Sequence, residues 1–171
     1  GDSGMSVLKV DQIQNTGGTT ALTINNNGFV IPKAVAFSVY KSGNQSMSSG
    51  TWTEVTWDTE EFDTAGFFNT SNSRFEPQIA GYYQINFSIN QSTGTGNAIL
   101  ARLMKNGSTY RFGSYHYHSS SEIDDYQQWA SMMVYMNGSS DYLTVDAFGI
   151  GLTTVNGGST QSNFQGYLVG V

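Results

Sequence analysis

Apolar side chains fall at every second position in run after run of this sequence, and turn-forming residues separate the runs. The clearest run is 81–90, in which four large apolar side chains alternate with polar ones: Tyr83, Ile85, Phe87 and Ile89. Successive side chains of a β-strand point to opposite sides, so this period is typical of strands with one face in a core. The pattern predicts an all-β domain.

The composition agrees with this prediction and excludes a helical bundle. Gly, Ser, Thr and Asn account for 72 of the 171 residues, whereas charged residues reach only 12%. These four residue types favour turns and are poor helix formers. The 10 Phe, 10 Tyr and 3 Trp supply the apolar surface that an ordered core needs. At this length we expect one main domain.

The charge distribution argues against several classes of partner. The net charge is −6 and the 7 basic residues are spread singly, so we expect no nucleic-acid binding. No apolar run approaches the ~20 residues of a membrane span, and we recognise no signal peptide, so we expect no membrane insertion. With 0 Cys the chain forms no disulfides, and its stability must come from core packing or self-association.

Nine strands are predicted in the main domain, which indicates a two-sheet sandwich of the jelly-roll type. Two short strands, within 7–13 and 21–24, precede them. We therefore divide the chain into a cloning remnant at 1–5, a β neck or linker at 6–33 and a jelly-roll head at 34–171. The nine ranges are 34–41, 52–57, 66–70 with 74–76, 81–90, 98–105, 109–117, 128–136, 142–149 and 162–170.

Two of these strands, 129–136 and the last one, are apolar on both faces. One face of each must be covered from outside its own sandwich, which predicts self-association. Alternation alone leaves open which face of 129–136 forms the interface. The candidates are Trp129, Met133 and Tyr135 on one face, or Met132, Val134 and Met136 on the other, together with Tyr167 and Val169.

The segment 57–87 resembles the signature of the globular head of complement C1q, which is structurally similar to tumour necrosis factor. The signature spaces an aromatic residue, an acidic or amide residue, two more aromatics and a final Gly-x-Tyr-x-Phe-x-aromatic group. Trp57 and Ile85 stand where the family has Phe, and the segments 36–39 and 164–169 agree as well. Six positions match in register: Asp63, Phe68, Phe75, Gly81, Tyr83 and Phe87.

This resemblance implies a ten-stranded jelly-roll head that assembles as a homotrimer. Residues 6–31 resemble neck segments of bacteriophage tail fibres and lack the Gly-X-Y repeat of collagen. The second resemblance implies a receptor-binding head of a virion tail fibre, made in the host cytoplasm and attaching to a host cell-surface glycan or protein. The alternatives are a bacterial extracellular adhesion or carbohydrate-binding module of the same fold, and a structural tip that only registers three chains.

Long polar loops are expected at the end of the sandwich opposite the termini, at 42–51, 91–97, 118–127 and 150–161. We call these the apical loops and expect weak, multivalent recognition there, because polar contacts in water contribute little each. Phe112 and Tyr115 are nearby stacking candidates. The candidate receptor-binding residues are Ser92, Thr93, Thr95, Asn97, Tyr117, Ser119, Ser120, Tyr126, Thr153, Thr154, Asn156 and Thr160.

Two groups of residues are candidate metal ligands. His116 and His118 share one strand face, and a threefold axis would gather six imidazoles, a set suited to a transition metal. Glu122, Asp124 and Asp125 could hold Ca²⁺ if a neighbouring chain supplied further oxygens. An ordinary surface role is the competing interpretation for both groups, so no cofactor is required by the sequence.

Catalysis has little support. The two His lie in one segment, and no nucleophile-elbow motif accompanies them. The acidic residues at 58–61 are typical of a solvated turn rather than of a glycosidase pair. We therefore predict that the protein is not an enzyme.

Overall fold

A computed structural model describes residues 9–96, 98–117 and 123–171, with side chains described for all of these except 93–96 and 123–125. The chain divides into two compact units, and the division lies between Ala34 and Val35. All regular structure in the described ranges is β-strand. Within those ranges no helix has the length and apolar character needed to cross a bilayer.

The N-terminal unit is an antiparallel sheet of β1 (Gln12–Gln14), β2 (Thr20–Ile24) and β3 (Val30–Pro32). In both hairpin turns one Asn side-chain oxygen, from Asn15 or Asn25, accepts two backbone N–H groups of its own turn. The predicted second strand coincides with β2, whereas the predicted segment 7–13 overlaps β1 only at Gln12 and Ile13, and its residues 7 and 8 lie outside the described residues. The sequence also predicts a boundary at Pro32. Proline instead ends the third strand at the sheet edge, where its missing N–H costs no ladder bond.

The second unit is a sandwich of two antiparallel sheets. In the first sheet, the long strand β10 pairs with β13 on one side and with β16 and then β15 on the other; β16 continues to β4 and β7, and β15 to β5. The bounds are β4 (Ala36–Tyr40), β5 (Gln45–Ser46), β7 (Thr59–Asp63), β10 (Gly81–Gly96), β13 (Ile123–Met136), β15 (Thr154–Val155) and β16 (Asn163–Gly170).

The second sheet has the order β12, β11, β14, β9, β8, and β6 also pairs with β14. Its strands are β6 (Thr53–Glu54), β8 (Phe68–Asn69), β9 (Arg74–Phe75), β11 (Ala98–Lys105), β12 (Ser108–Tyr117) and β14 (Leu143–Ile150).

The core lies between the sheets and is centred on β10. Its inward side chains Tyr83, Ile85, Phe87 and Ile89 are at most 2% exposed. The Phe75 ring packs against Tyr83 with centroids 5.3 Å apart, and it stacks on Phe37 at 4.3 Å. Aromatic side chains bury large apolar areas, so this cluster is the main source of stability in a chain without disulfides.

The predicted strands are all present, but three short ones in the sandwich were not predicted. These are β5, β7 and β15, which lie in segments predicted as polar or acidic turns. Strands β10 and β13 also continue past the core, up to the pair Gly96 and Ile123, where loops were predicted. These extensions are held by backbone hydrogen bonds, which do not require apolar side chains. The sequence therefore shows no alternating apolar pattern there.

The turn after β13 depends on a glycine. Gly138 has φ +70°, and a Cβ there would lie 2.3 Å from the backbone nitrogen of Ala80. Gly50 has φ +74° but open space around it. We expect Gly138→Ala to destabilise the domain by about 3 kcal/mol, because overpacking adds to the ~1 kcal/mol cost of the left-handed conformation.

Urea unfolding of Gly138→Ala and Gly50→Ala would test this. Gly50→Ala is the matched control and carries only the conformational cost. Equal midpoints for the two variants would contradict the packing described for Gly138.

Candidate functional site

The outer face of the first sheet, away from the core, carries several exposed apolar side chains. Trp129, Met133 and Tyr135 of β13 point outward and are 62%, 46% and 48% exposed. Tyr82 and Tyr167 lie beside them on β10 and β16 and are 54% and 50% exposed. We call these five residues, with Val169, the apolar face. A surface of this kind is typical of an interaction site.

The register settles which side of β13 is available. Val134 lies opposite Tyr83, and both are fully buried. Met136 is fully buried as well, and Met132 is partly buried against the core. This corrects the inclusion of Met132, Val134 and Met136 among the interface candidates, because they fill the sandwich and offer little surface to another chain.

A polar stripe runs through the apolar face, with Ser88 opposite Trp129 and Gln84 opposite Met133. Gln84 donates to Ser131 Oγ at 2.9 Å, and Gln127 donates to Ser88 Oγ and to the carbonyl of Gln161. These side chains hydrogen-bond to one another or to backbone, so they depend less on hydrogen bonds from water. The surface therefore combines exposed apolar side chains with a preorganised polar stripe that runs between them.

The free edge of β13 is closed by side chains from the second sheet. Lys105 Nζ donates to the Tyr135 carbonyl at 2.6 Å, and Tyr110 Oη donates to the Met133 carbonyl at 3.1 Å. The backbone N–H of Trp129 donates to Ser114 Oγ at 3.0 Å. The two sheets are thus joined along this edge by hydrogen bonds as well as by the core.

Two of the apical loops, 42–51 and 150–161, are joined to each other. β5 pairs with β15, and the Met47 N–H donates to the Thr153 carbonyl at 2.8 Å. Gly157 lies so close to Gly43 that a Cβ at 157 would come within 2.3 Å of its carbonyl carbon. The loops form one connected surface with a fixed backbone.

The predicted receptor-binding residues fall into three groups. Tyr117 and Thr160 are exposed. Ser92, Tyr126, Thr153 and Thr154 are half-buried. The third group lies outside the residues whose side chains are described: Thr93, Thr95, Asn97, Ser119 and Ser120.

The prediction that Asn156 binds a receptor is corrected, because its side chain is 8% exposed and faces the protein. Its Nδ2 donates to Asn90 Oδ1, and its Oδ1 accepts from Ser92 Oγ at 2.7 Å. Asn156 and Ser92 therefore brace the loop rather than present it to a ligand.

An ion pair between the buried Lys41 and the partly exposed Asp58 anchors the first apical loop. Lys41 is 8% exposed, and its Nζ lies 2.6 Å from Asp58 Oδ2, while Asp58 Oδ1 accepts the Ser42 N–H at 2.8 Å. Partial burial acts to raise the pKa of Asp58, but hydrogen bonds from Lys41, Ser42 and Thr59 outweigh it and lower the pKa to about 2. The carboxylate is therefore ionised whenever the loop is in place.

The outer face of the second sheet carries an aromatic cluster that sequence reasoning missed. The Arg102 guanidinium stacks 4.0 Å above the Trp52 ring and pairs with Asp146 at 2.8 Å. The Trp52 ring centroid is 5.2 Å from that of Phe148. No local pattern could indicate this cluster, because its members come from distant segments.

The metal candidates are only partly described. His116 lies beside Tyr126, with ring centroids 5.2 Å apart. His118 and Glu122 lie outside the described residues, as do the side chains of Asp124 and Asp125. Among described side chains, no group of three or more His, Asp or Glu is close enough to hold a metal ion. Metal binding stays a prediction.

The Asp58 pKa leads to a pH-dependent prediction. Because the folded-state pKa of about 2 lies below the ordinary 3.8, the carboxylate stabilises the fold above about pH 4 and this contribution is lost as the pH falls toward 2. We expect Asp58→Asn to lower the free energy of unfolding at pH 7 by about 1 kcal/mol, since the carboxylate is partly exposed to solvent.

Urea unfolding at pH 7, 5 and 3 measures this difference, which should shrink at the lowest pH. Glu76→Gln is the control, because Glu76 forms only an exposed pair with Arg74 at 3.8 Å. A difference between wild type and Asp58→Asn that does not vary with pH would contradict the prediction.

Comparisons with known proteins agree on the sandwich. Among solved structures, similar ones include the Eiger TNF of S. frugiperda (TM-score 0.64, 12% identity, 80% of this chain and 93% of that chain). The globular domain of zebrafish complement 1qA protein has a TM-score of 0.60 and 14% identity over 80% of this chain and 97% of its own. Murine APRIL has a TM-score of 0.63 and 10% identity over 80% of this chain and 100% of its own.

No curated protein sequence matches the chain closely enough to count as a relative. The profile of the C1q domain family, however, matches residues 36–169, which is most of the chain and nearly the whole sandwich. The match confirms the C1q resemblance of the second unit, and the likeness to solved structures confirms its fold. The chain belongs to the C1q domain family.

Proposed function

We propose that this protein is a homotrimeric, non-enzymatic binding head that attaches to a molecule on a cell surface. The main support for self-association is the apolar face, on which Trp129, Met133 and Tyr135 are exposed beside Tyr82 and Tyr167. Covering such side chains with a second copy removes apolar area from water at about 25 cal/mol per Å². The trimeric state implied by the C1q resemblance supports the same assembly.

The polar stripe fits an interface between copies. Its side chains already bond to each other, as in the Gln84 to Ser131 contact, so covering them leaves few polar groups without partners. A recess of about 220 Å³ between Phe62 and Tyr167 offers space for a side chain of a neighbouring copy. Self-association through this face therefore combines apolar burial with little polar cost.

We propose further that the head lies at the tip of a bacteriophage tail fibre and attaches the virion to a host glycan or protein. The resemblance of 6–31 to fibre necks supports this, as does the connected apical surface. The alternative is a bacterial extracellular adhesion module of the same fold. Neighbouring genes separate them: tail-assembly genes favour the first and a secretion system the second.

The first experiment tests the trimer. We expect the wild type to sediment at roughly three times 18.6 kDa at micromolar concentration. Met133→Asp combined with Tyr135→Asp should give folded monomers, because unpaired charges buried in an interface are expensive.

Val134→Asp is the comparison variant, and it should unfold the domain, since Val134 is fully buried in the core. Circular dichroism distinguishes unfolding from dissociation. A wild-type mass near 18.6 kDa would refute the trimer, and an intact trimer with both Met133 and Tyr135 changed would refute this interface.

The second experiment tests attachment through the apical loops. Ser48 and Thr160 are exposed in the two joined loops, so Ser48→Arg with Thr160→Arg should block contact without disturbing the fold. We expect at least tenfold weaker adsorption of trimers to host cells. Ser139→Arg, in the exposed turn after β13 at the other end, is the control. Undiminished adsorption of the double variant would place the contact elsewhere.

A further inference from the structure

Three aromatic side chains form a row on β12, at the edge of the second sheet. Phe112, Tyr115 and Tyr117 are 59%, 57% and 59% exposed. Their partners on β11 are Arg102, Leu100 and Ala98, which are alternate residues and share one face. An irregularity between 112 and 115 absorbs one extra residue, so the three rings point to the same side. We call them the aromatic row.

The guanidinium nearest the aromatic row is paired with a carboxylate. The Trp52 ring centroid lies 6.0 Å from that of Phe112, and the Arg102 guanidinium lies 4.0 Å above the Trp52 ring. The charge of Arg102 is balanced by Asp146, whose carboxylate accepts from two of its guanidinium nitrogens. A ligand on the row would therefore meet ring faces and tyrosine hydroxyl groups, and the Arg102 guanidinium opposite Phe112 is already paired.

The aromatic row is too small for a stable protein interface of its own. Three aromatic side chains at this exposure offer roughly 350 Å², whereas specific protein interfaces bury about 800 Å² on each partner. An added peptide strand is also disfavoured, because side chains of β12 bridge to β13, as in the Trp129 N–H to Ser114 Oγ bond. The row suits a narrow, extended ligand that stacks on rings.

We propose that the aromatic row binds a linear, uncharged glycan, with the C–H faces of successive sugar rings stacked on Phe112, Tyr115 and Tyr117. The phenolic groups of the two tyrosines donate or accept hydrogen bonds with sugar hydroxyl groups. Each such bond contributes about 1 kcal/mol, so a single row binds weakly. This inference rests on the proposed function, because several copies of the head at one cell surface then supply the avidity.

The test is titration of the full chain with neutral linear hexasaccharides of β-1,4-linked glucose, β-1,4-linked N-acetylglucosamine and α-linked mannose. We expect at least one to bind with a Kd between about 10 µM and 10 mM. Phe112→Ala with Tyr115→Ala and Tyr117→Ala should weaken that binding at least tenfold. Tyr115→Phe with Tyr117→Phe keeps the stacking faces and loses only the phenolic hydrogen bonds, so it should weaken binding less than the triple Ala variant does.

Phe29→Ala is the matched control, since Phe29 is a 66% exposed ring in the N-terminal unit. The proposal is overturned if none of the hexasaccharides binds the wild type, or if the triple Ala variant binds as well as the wild type. A triple Ala variant with a reduced oligomeric mass also overturns it, because the rings would then belong to a contact between copies.

Adsorption to host cells separates this inference from the proposed function. If the triple Ala variant adsorbs to host cells as well as the wild type does, glycan binding by the aromatic row is refuted. The proposal of cell attachment is then unaffected. A wild-type head that adsorbs to no host cell refutes attachment itself.

Discussion

The whole sandwich depends on burying one face of β10. Tyr83, Ile85, Phe87 and Ile89 are at most 2% exposed, and the strand carries neighbours on both sides. Its partners must adopt the register that places Val134 opposite Tyr83 and Phe164 opposite Phe87. A shift by one residue would turn the buried side chains of Val134 and Phe164 to solvent. The exposure of Trp129, Met133 and Tyr135 is therefore a consequence of the register that fills the core.

The fold was predictable because its strands carry a period of two and its turns carry Gly and Asn. What could not be predicted is structure held by the backbone alone. The two-residue strands β5 and β15 are too short to show an apolar period. In β7 the apolar residue Phe62 stands among acidic residues and is exposed. In the sequence all three segments therefore look like polar turns. The face of β13 that points outward was also undecidable, because Met133 and Val134 are both apolar and only pairing with β10 distinguishes them.

The candidate site was predictable in outline and not in detail. Loop position followed from strand order, but the sequence does not distinguish a ligand-facing Asn from a structural one, and Asn156 bonds to Asn90 and Ser92. The cluster of Trp52, Arg102 and Asp146 brings together three segments far apart in the chain. Such contacts arise only once the second sheet has formed, and no local spacing records them.

The closure of the β13 edge has a consequence for how copies of this chain can meet. Exposed strand edges can pair with strands of other chains and lead to aggregation. With only 12% charged residues, copies of this chain repel one another little, so charge alone gives little protection against such pairing. Here the Tyr135 and Met133 carbonyls accept hydrogen bonds from Lys105 and Tyr110, so they do not offer a row of free acceptors to a stray strand. At this edge a second copy would therefore find few backbone groups to pair with, whereas the outer face of the first sheet offers it exposed side chains.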